Sequence, residues 1–224
     1  MHDLALDAEV RKCVWFVQAT DTNTVTRRQR AAYIVHAGLP SDFIEEKLGI
    51  DVRVESQPLI DAMEALNKAT HVRAETVVHD VRDVRAMLHD VFHGLLTLLD
   101  AAEESRAGLK HAIADVMHHA VFDNLISETI QELDEISTHT TVDGHHIDTV
   151  EVRSLTATGI EYAITGQVEV ELQYGSNSDV RNDIGFRQDD SYPYSAVITS
   201  NPAKPLDIHR NNVRLQVDNS SFYE

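Results

Sequence analysis

The first part of the chain shows a helical spacing of hydrophobic positions. Up to about Ser137, apolar residues recur at intervals of three and four, the period of an amphipathic helix. Leu6, Val10, Val14 and Val17 form one such stripe, and a longer one runs from the region of Asp80 to Leu98. Further helices are predicted over residues 28–37, 41–49, 56–66, 107–121 and 124–136. Short loops between these segments predict a helical bundle.

After Gly144 the hydrophobic period changes to two. Residues 160–165 and 168–173 alternate apolar with polar or small side chains, and β-branched residues are frequent in both stretches. Glycine or asparagine interrupts the pattern at 158–159, 166 and 175–177, which is typical of antiparallel strands joined by turns. Additional strands are predicted over residues 147–152, 197–199 and 213–217.

The change of period predicts an α+β protein with two domains. We assign a helical bundle domain to residues 1–140 and a small antiparallel β domain to residues 145–224. The polar stretch 138–144 is interpreted as the linker between them.

The amino-acid composition limits the kinds of partner that the chain is expected to bind. The chain has 224 residues, with 37 acidic and 19 basic side chains, so its net charge is −18 at pH 7 with histidine neutral. Such a charge disfavours unspecific binding to phosphate backbones. The single cysteine excludes a disulfide framework. Because we find neither a signal sequence nor about 20 consecutive apolar residues, we expect a cytoplasmic protein without a membrane partner.

One cluster of bases has the composition of a phosphate-binding site. Arg27, Arg28 and Arg30 lie within five residues at the predicted start of a helix. Guanidinium groups bind phosphate oxygens in a bidentate manner, so the cluster is a candidate phosphate site. The alternative is a solvated helix start whose arginines form ion pairs with nearby acids.

A second motif suggests metal-independent catalysis. Arg106 and His111 are separated by four residues, a spacing used by a broad class of helical RNases. There the arginine contacts phosphate while the titrating imidazole assists transfer involving the ribose 2′-hydroxyl. Near-equivalent spacings occur at Arg30 and His36 and elsewhere in the chain, so exposed helix residues are the alternative interpretation.

Two further groups have the chemistry of metal ligands, and a divalent cation would be their cofactor. His89 and His93 lie four residues apart on one helix face, with His111 or His118 as a third ligand. In the polar loop 175–185, the oxygen-bearing side chains suited to a hard cation are Asn177, Asp179 and Asp183. The alternatives are a chance pair in a chain with 13 histidines and a tight turn held by its own side chains.

A restriction-type nuclease core is less compatible with the sequence. Glu169 and Glu171 supply strand acids, but no Glu-x-Lys follows them, and Lys204 is the single lysine after position 144. Such cores use a lysine beside the acids, where the metal-bound water meets the phosphate.

Several stretches carry a family resemblance. Residues 26–34 (TRRQRAAYI), 67–71 (NKATH) and the amphipathic segment to Leu99 resemble the helical portion of the predicted nucleases associated with prokaryotic PIWI systems. Residues 171–179 (ELQYGSNSD) and 191–194 (SYPY) are similar to a strand and loop of such bacterial defence proteins. The resemblance covers about residues 26–195 and implies a role against phage or plasmids. It transfers no catalytic residue to this chain.

These observations favour a defence-associated component that acts by binding other protein subunits of its system, with nucleic-acid processing as a further role. One alternative is a nuclease, either an RNase or a DNase, with or without a metal. The other is an acidic mimic of nucleic acid that blocks a basic groove, which the charge of −18 permits.

Overall fold

A computed structural model describes residues 2–19, 23–70, 80–128 and 130–223. The helices are α1 (His2–Val10), α2 (Val14–Ala19), α3 (Arg27–His36), α4 (Val52–Thr70), α5 (Val81–Ser127), α6 (Gln131–Asp134) and α7 (Asn177–Arg181). The strands are β1 (His139–Leu155), β2 (Ile160–Tyr174), β3 (Phe186–Ser200) and β4 (Val213–Val217). A π-helical turn at Phe43–Lys47 and 3-10 turns at Arg210–Asn212 and Ser220–Tyr223 complete the elements. His71, part of the stretch 67–71, lies outside the described residues.

The α+β class predicted from the hydrophobic period is confirmed. Helices occupy the N-terminal part, and four strands follow in one antiparallel sheet of order β1-β2-β3-β4. Packing groups the residues into two compact units. Unit 1 contains Met1–Ala112, Leu155–Gly159 and Pro202–Lys204, and unit 2 contains Ile113–Ser154, Ile160–Asn201 and Pro205–Glu224. The domain boundaries proposed from the sequence stay a prediction.

Unit 1 is built on a small helical core. Val10, Cys13, Phe16, Val25 and Ala157 are buried together, with Trp15 and Tyr33 packed against them. Burial raises the pKa of the Cys13 thiol to about 12, and the Glu9 carboxylate adds to this shift. The thiol is therefore an inert core group at neutral pH.

A buried histidine closes the end of α3. His36 is 2% exposed, and its Nδ1 donates a hydrogen bond to the Leu39 carbonyl over 2.9 Å. The centroids of the Trp15 ring and the His36 imidazole are 5.4 Å apart. The Nε1 of Trp15 donates a hydrogen bond to the Ala37 carbonyl over 2.7 Å. Ala37 itself has a φ of 48°, a conformation that side-chain-bearing residues rarely adopt. These contacts fix the corner at which the chain leaves α3.

The long helix α5 corrects two sequence expectations. The separate helices predicted over 107–121 and 124–136 are wrong, because α5 continues without a break to Ser127 and only the short α6 follows. Gly108 does not end the helix. A Cβ at this position would meet Leu48 Cδ2 at 3.1 Å, so the glycine provides room for a packing neighbour.

The strands of the sheet show that two other predictions from the sequence are wrong. The linker predicted over 138–144 is wrong from His139 onward, because β1 begins at that residue. The threonines and the valine that follow are residues that favour strands. The strand break predicted at Gly166 is also wrong, because β2 runs from Ile160 to Tyr174. Loop 175–185 contains the short helix α7.

Unit 2 buries one face of its sheet. Even-numbered residues are buried over 160–172 of β2 and over 192–200 of β3, and the pairing sets Tyr162 opposite Ile198 and Val168 opposite Tyr192. On α5, Ile113, Met117 and Val121 are fully buried at four-residue intervals. The buried side chains of the strands and of this part of α5 together form the core of unit 2.

Candidate functional site

The two residues of the predicted RNase motif lie on α5 but point in different directions. Positions five apart on a helix are separated by about 140° around its axis and about 7.5 Å along it. The Arg106 guanidinium donates to the Ala102 carbonyl over 3.1 Å, and His111 is exposed. The structure therefore does not bring Arg106 and His111 together at one point.

The predicted phosphate cluster is engaged with protein groups. Arg30 binds Asp7 through two hydrogen bonds of 2.7 and 3.0 Å, and this pairing lowers the pKa of the Asp7 carboxyl. Arg28 donates to the side-chain oxygen of Gln57 over 2.9 Å. Arg27 lies 3.0 Å from the side-chain amide of Asn67. Each arginine thus faces a different partner.

The predicted metal ligands are dispersed. The rings of His89 and His93 have centroids 6.2 Å apart, and the nearest acid to His89 is its neighbour Asp90 at 3.5 Å. Among the residues that the structure describes, no three His, Cys, Asp or Glu side chains form a group that would hold a metal ion.

The polar loop of unit 2 is organised as a helix cap. Asp179 accepts hydrogen bonds from the backbone and hydroxyl of Ser176, which lowers the pKa of its carboxyl. Asn177 accepts from Gln173 over 3.2 Å, and Asp183 has a φ of 58° at the end of the turn. These side chains hold the turn through their own hydrogen bonds.

A different constellation occurs in unit 2, where two histidines and a tyrosine form a hydrogen-bonded row. His118 of α5 and His145 of β1 approach within 3.2 Å, Nδ1 to Nε2. The other nitrogen of His145, Nδ1, lies 3.1 Å from the Tyr194 hydroxyl on β3. Phe122, one turn after His118, stacks on the His145 ring with centroids 5.9 Å apart. We call His118, His145 and Tyr194 the imidazole row.

The hydrogen bonds assign the proton on His145. Its Nε2 also lies 3.2 Å from the backbone carbonyl of His118, and a carbonyl can only accept. Nε2 therefore carries the hydrogen, and Nδ1 accepts from the Tyr194 hydroxyl. The Tyr194 hydroxyl and the His118 carbonyl in this way fix the ring of His145, and His145 in turn orients the ring of His118.

Burial keeps the inner two groups neutral. Desolvation lowers the pKa of His145, and the neighbouring His118 and His146 lower it further, against an opposing contribution from the His118 carbonyl. Desolvation raises the pKa of Tyr194, with a smaller contribution from the Asp148 carboxylate. His118 is exposed, so its Nε2 is the atom of the row that a ligand reaches.

Such an arrangement supports proton transfer at one exposed atom. A reactive imidazole that is oriented by a second group, itself held by a third, follows the logic of catalytic triads. His118 was considered from the sequence only as an extra metal ligand, and His145 and Tyr194 were not singled out. The available signal was weak: adjacent histidine pairs at 118–119 and 145–146 in a chain with 13 histidines.

Comparison with known families identifies the family to which the chain belongs. Residues 102–223 match a family described as "Predicted pPIWI-associating nuclease", and residues 1–95 match a second family of the same description. The chain belongs to the family of predicted pPIWI-associating nucleases. The resemblance inferred from the sequence is thereby confirmed. No curated protein and no solved structure matches the chain.

The imidazole row lies within the match over residues 102–223, which contains all three of its residues. The corner at Trp15 and His36 lies within the match over residues 1–95. None of the helices in the described part of the chain combines the length and the apolar character needed to span a membrane.

Gly166 gives a direct test of the packing behind the row. A Cβ at this position would lie 2.6 Å from Tyr194 Oη and would overlap the His146 carbonyl. We expect Gly166→Ala to displace the tyrosine and lower the free energy of unfolding by about 1–3 kcal/mol in urea titrations. Gly159→Ala is the control, because its nearest atom would be Thr156 Oγ1 at 3.9 Å. Equal stability of the two variants would contradict this packing.

Proposed function

We propose that this chain cleaves phosphodiester bonds as the nuclease component of a prokaryotic PIWI-containing defence system, and that the imidazole row is its catalytic centre. In this proposal His118 exchanges a proton with the substrate, and His145 and Tyr194 are positioning residues. The observation that carries the proposal is the continuous hydrogen-bonded row from an exposed imidazole to a buried phenol.

The chemistry of the row fits phosphodiester cleavage. Such cleavage needs a proton removed from the attacking hydroxyl or water and a proton supplied to the leaving oxygen. Imidazole performs either role near neutral pH, because its ordinary pKa lies close to 6.5. His118 has the exposure for this role, while hydrogen bonds to its neighbour restrict the rotation of its ring.

The electrostatics of the chain imply weak, salt-sensitive substrate binding. A net charge of −18 opposes a polyanionic substrate. Salt screens this repulsion, so we expect substrate binding to be no weaker at physiological ionic strength than at low salt.

The first experiment is a cleavage assay with labelled RNA and DNA. We expect the purified chain to cleave at least one of them in EDTA as well as in Mg²⁺ or Mn²⁺, because imidazole supplies the proton transfer. The double variant Arg106→Ala, His111→Ala should cleave within about 3-fold of the wild-type rate, since neither side chain touches the row. Cleavage that requires a metal, or that disappears in the double variant, would contradict the proposal.

An interaction component is the second candidate function. A specific observation favours it. On α5, several large apolar side chains, among them Leu88 and Phe92, are exposed and do not belong to the buried core. Binding of other subunits of a PIWI-containing system, without cleavage of either nucleic acid by the pure chain, would favour this candidate.

A further inference from the structure

The first half of α5 exposes a second apolar face. Gly94 and Leu98 are buried on one side, where a Cβ on Gly94 would lie 2.6 Å from Leu59 Cα of α4. A different side of the same helix carries large apolar residues that each expose between 40% and 63% of their surface: Val84, Leu88, Phe92, Leu95, Leu96 and Leu99. We call these six residues the α5 stripe.

The spacing of the α5 stripe is that of a helix-pairing seam. Its members follow one another at steps of four, four, three, one and three residues, which keeps them within about a third of the helix circumference. From Val84 to Leu99 the stripe extends for about 22 Å along the axis. Apolar residues at intervals of three and four pack well against a second helix.

We propose that the α5 stripe is the interface of a homodimer, in which α5 of a second copy packs antiparallel on it. The charges beside the stripe support a second copy in this direction. Arg85 flanks its N-terminal end, and Asp100 and Glu103 flank its C-terminal end on the same side of the helix. Arg82, also at the N-terminal end, is paired with Asp80 over 2.9 Å. A two-fold axis near Phe92 brings each basic end beside the acidic end of the partner, whereas parallel pairing sets like charges together.

The size of the stripe is sufficient for such an interface. Six half-exposed side chains of this size present about 500 Å² of apolar surface, which is at the upper end for a patch on a monomer. Two copies would bury about 1,000 Å² from these side chains alone, and flanking polar residues add to it. This reaches the lower limit of the area expected of a specific interface, about 1,000 Å².

Light scattering during size-exclusion chromatography tests the proposal on the full chain. We expect wild-type protein to elute with twice the monomer mass of 25.1 kDa at concentrations up to about 100 µM. Phe92→Gln should raise the dissociation constant by at least about 30-fold, because the side chain lies at the centre of the interface. Ile126→Gln is the matched control: this residue is 56% exposed on α5 but lies outside the stripe.

Charge reversal tests the antiparallel arrangement. Arg85→Glu should weaken the dimer, and the double variant Arg85→Glu, Asp100→Arg should restore it, because a two-fold axis near Phe92 sets position 85 of one copy beside position 100 of the other. Circular dichroism of each variant checks the fold. Because the substituted residues are exposed, we expect every variant to remain folded. A monomeric wild type, a dimer indifferent to Phe92→Gln, or failure of the double reversal to restore association would each overturn the proposal.

Discussion

Replacing His118 by alanine is expected to lower the rate of phosphodiester cleavage by about 10²–10⁴-fold, the usual contribution of a general acid or base. The residue is exposed on α5, and so its loss should leave the fold intact. The measurement is the initial rate of cleavage of the labelled substrate under single-turnover conditions, with circular dichroism as a check of folding.

The adjacent histidine is the matched control for this experiment. His119 is also exposed on α5, but its Nδ1 contacts the Asp115 carbonyl and not the imidazole row. We expect His119→Ala to cleave at nearly the wild-type rate. Equal losses in both variants would indicate a general effect of histidine on substrate binding, and an unaffected His118→Ala would remove the row from catalysis.

The positioning residues require a different readout. His145→Ala should lower kcat with little change in KM, because His118 then loses the hydrogen bond that orients its ring. A merely structural role would lower the amount of folded protein and leave kcat per folded molecule unchanged. His146→Ala controls for the position on β1, since its side chain is exposed and lies 3.8 Å from Asp148 instead.

The hydrophobic period predicted the fold class because it reports the local exposure of each side chain. Residues 160–172 alternate in the sequence and in their burial, so the strand pattern was readable. The period carries less information on where an element ends. Gly166 was predicted to be a strand break, yet it lies inside β2, where Tyr194 needs the space of the missing side chain.

The imidazole row was not predictable by spacing. His118 and His145 are 27 residues apart and lie on a helix and a strand, and Tyr194 lies another 49 residues along. Sequence spacing predicts proximity only within one element, as for His89 and His93 or Arg106 and His111. Such pairs were therefore found from the sequence, although the described part of the chain places no third metal ligand beside His89 and His93, whereas the row depends on how α5, β1 and β3 meet in unit 2.

Acid is expected to destabilise unit 1 through His36. Burial lowers the pKa of this imidazole from 6.5 to about 4, so the unfolded chain binds a proton that the folded chain excludes. The contribution is fully present above pH 6.5 and is lost as the pH falls toward 4, which amounts to about 3 kcal/mol. Urea unfolding at pH 8, 7, 6 and 5, followed by the fluorescence of Trp15, the single tryptophan, should show this decline.

A variant that cannot titrate separates His36 from other groups. His36→Asn keeps a donor near the Leu39 carbonyl but removes the ionisable ring, so it should be less stable at pH 8 by about 1–3 kcal/mol and show a shallower decline toward pH 5. His89→Asn, on the exposed surface, should retain the wild-type slope. The lowered pKa of Asp7 acts in a more acidic window, because a carboxylate loses its stabilising charge only as the pH falls below about 4. An unchanged slope in His36→Asn would show that the buried imidazole is not the group that senses acid in unit 1.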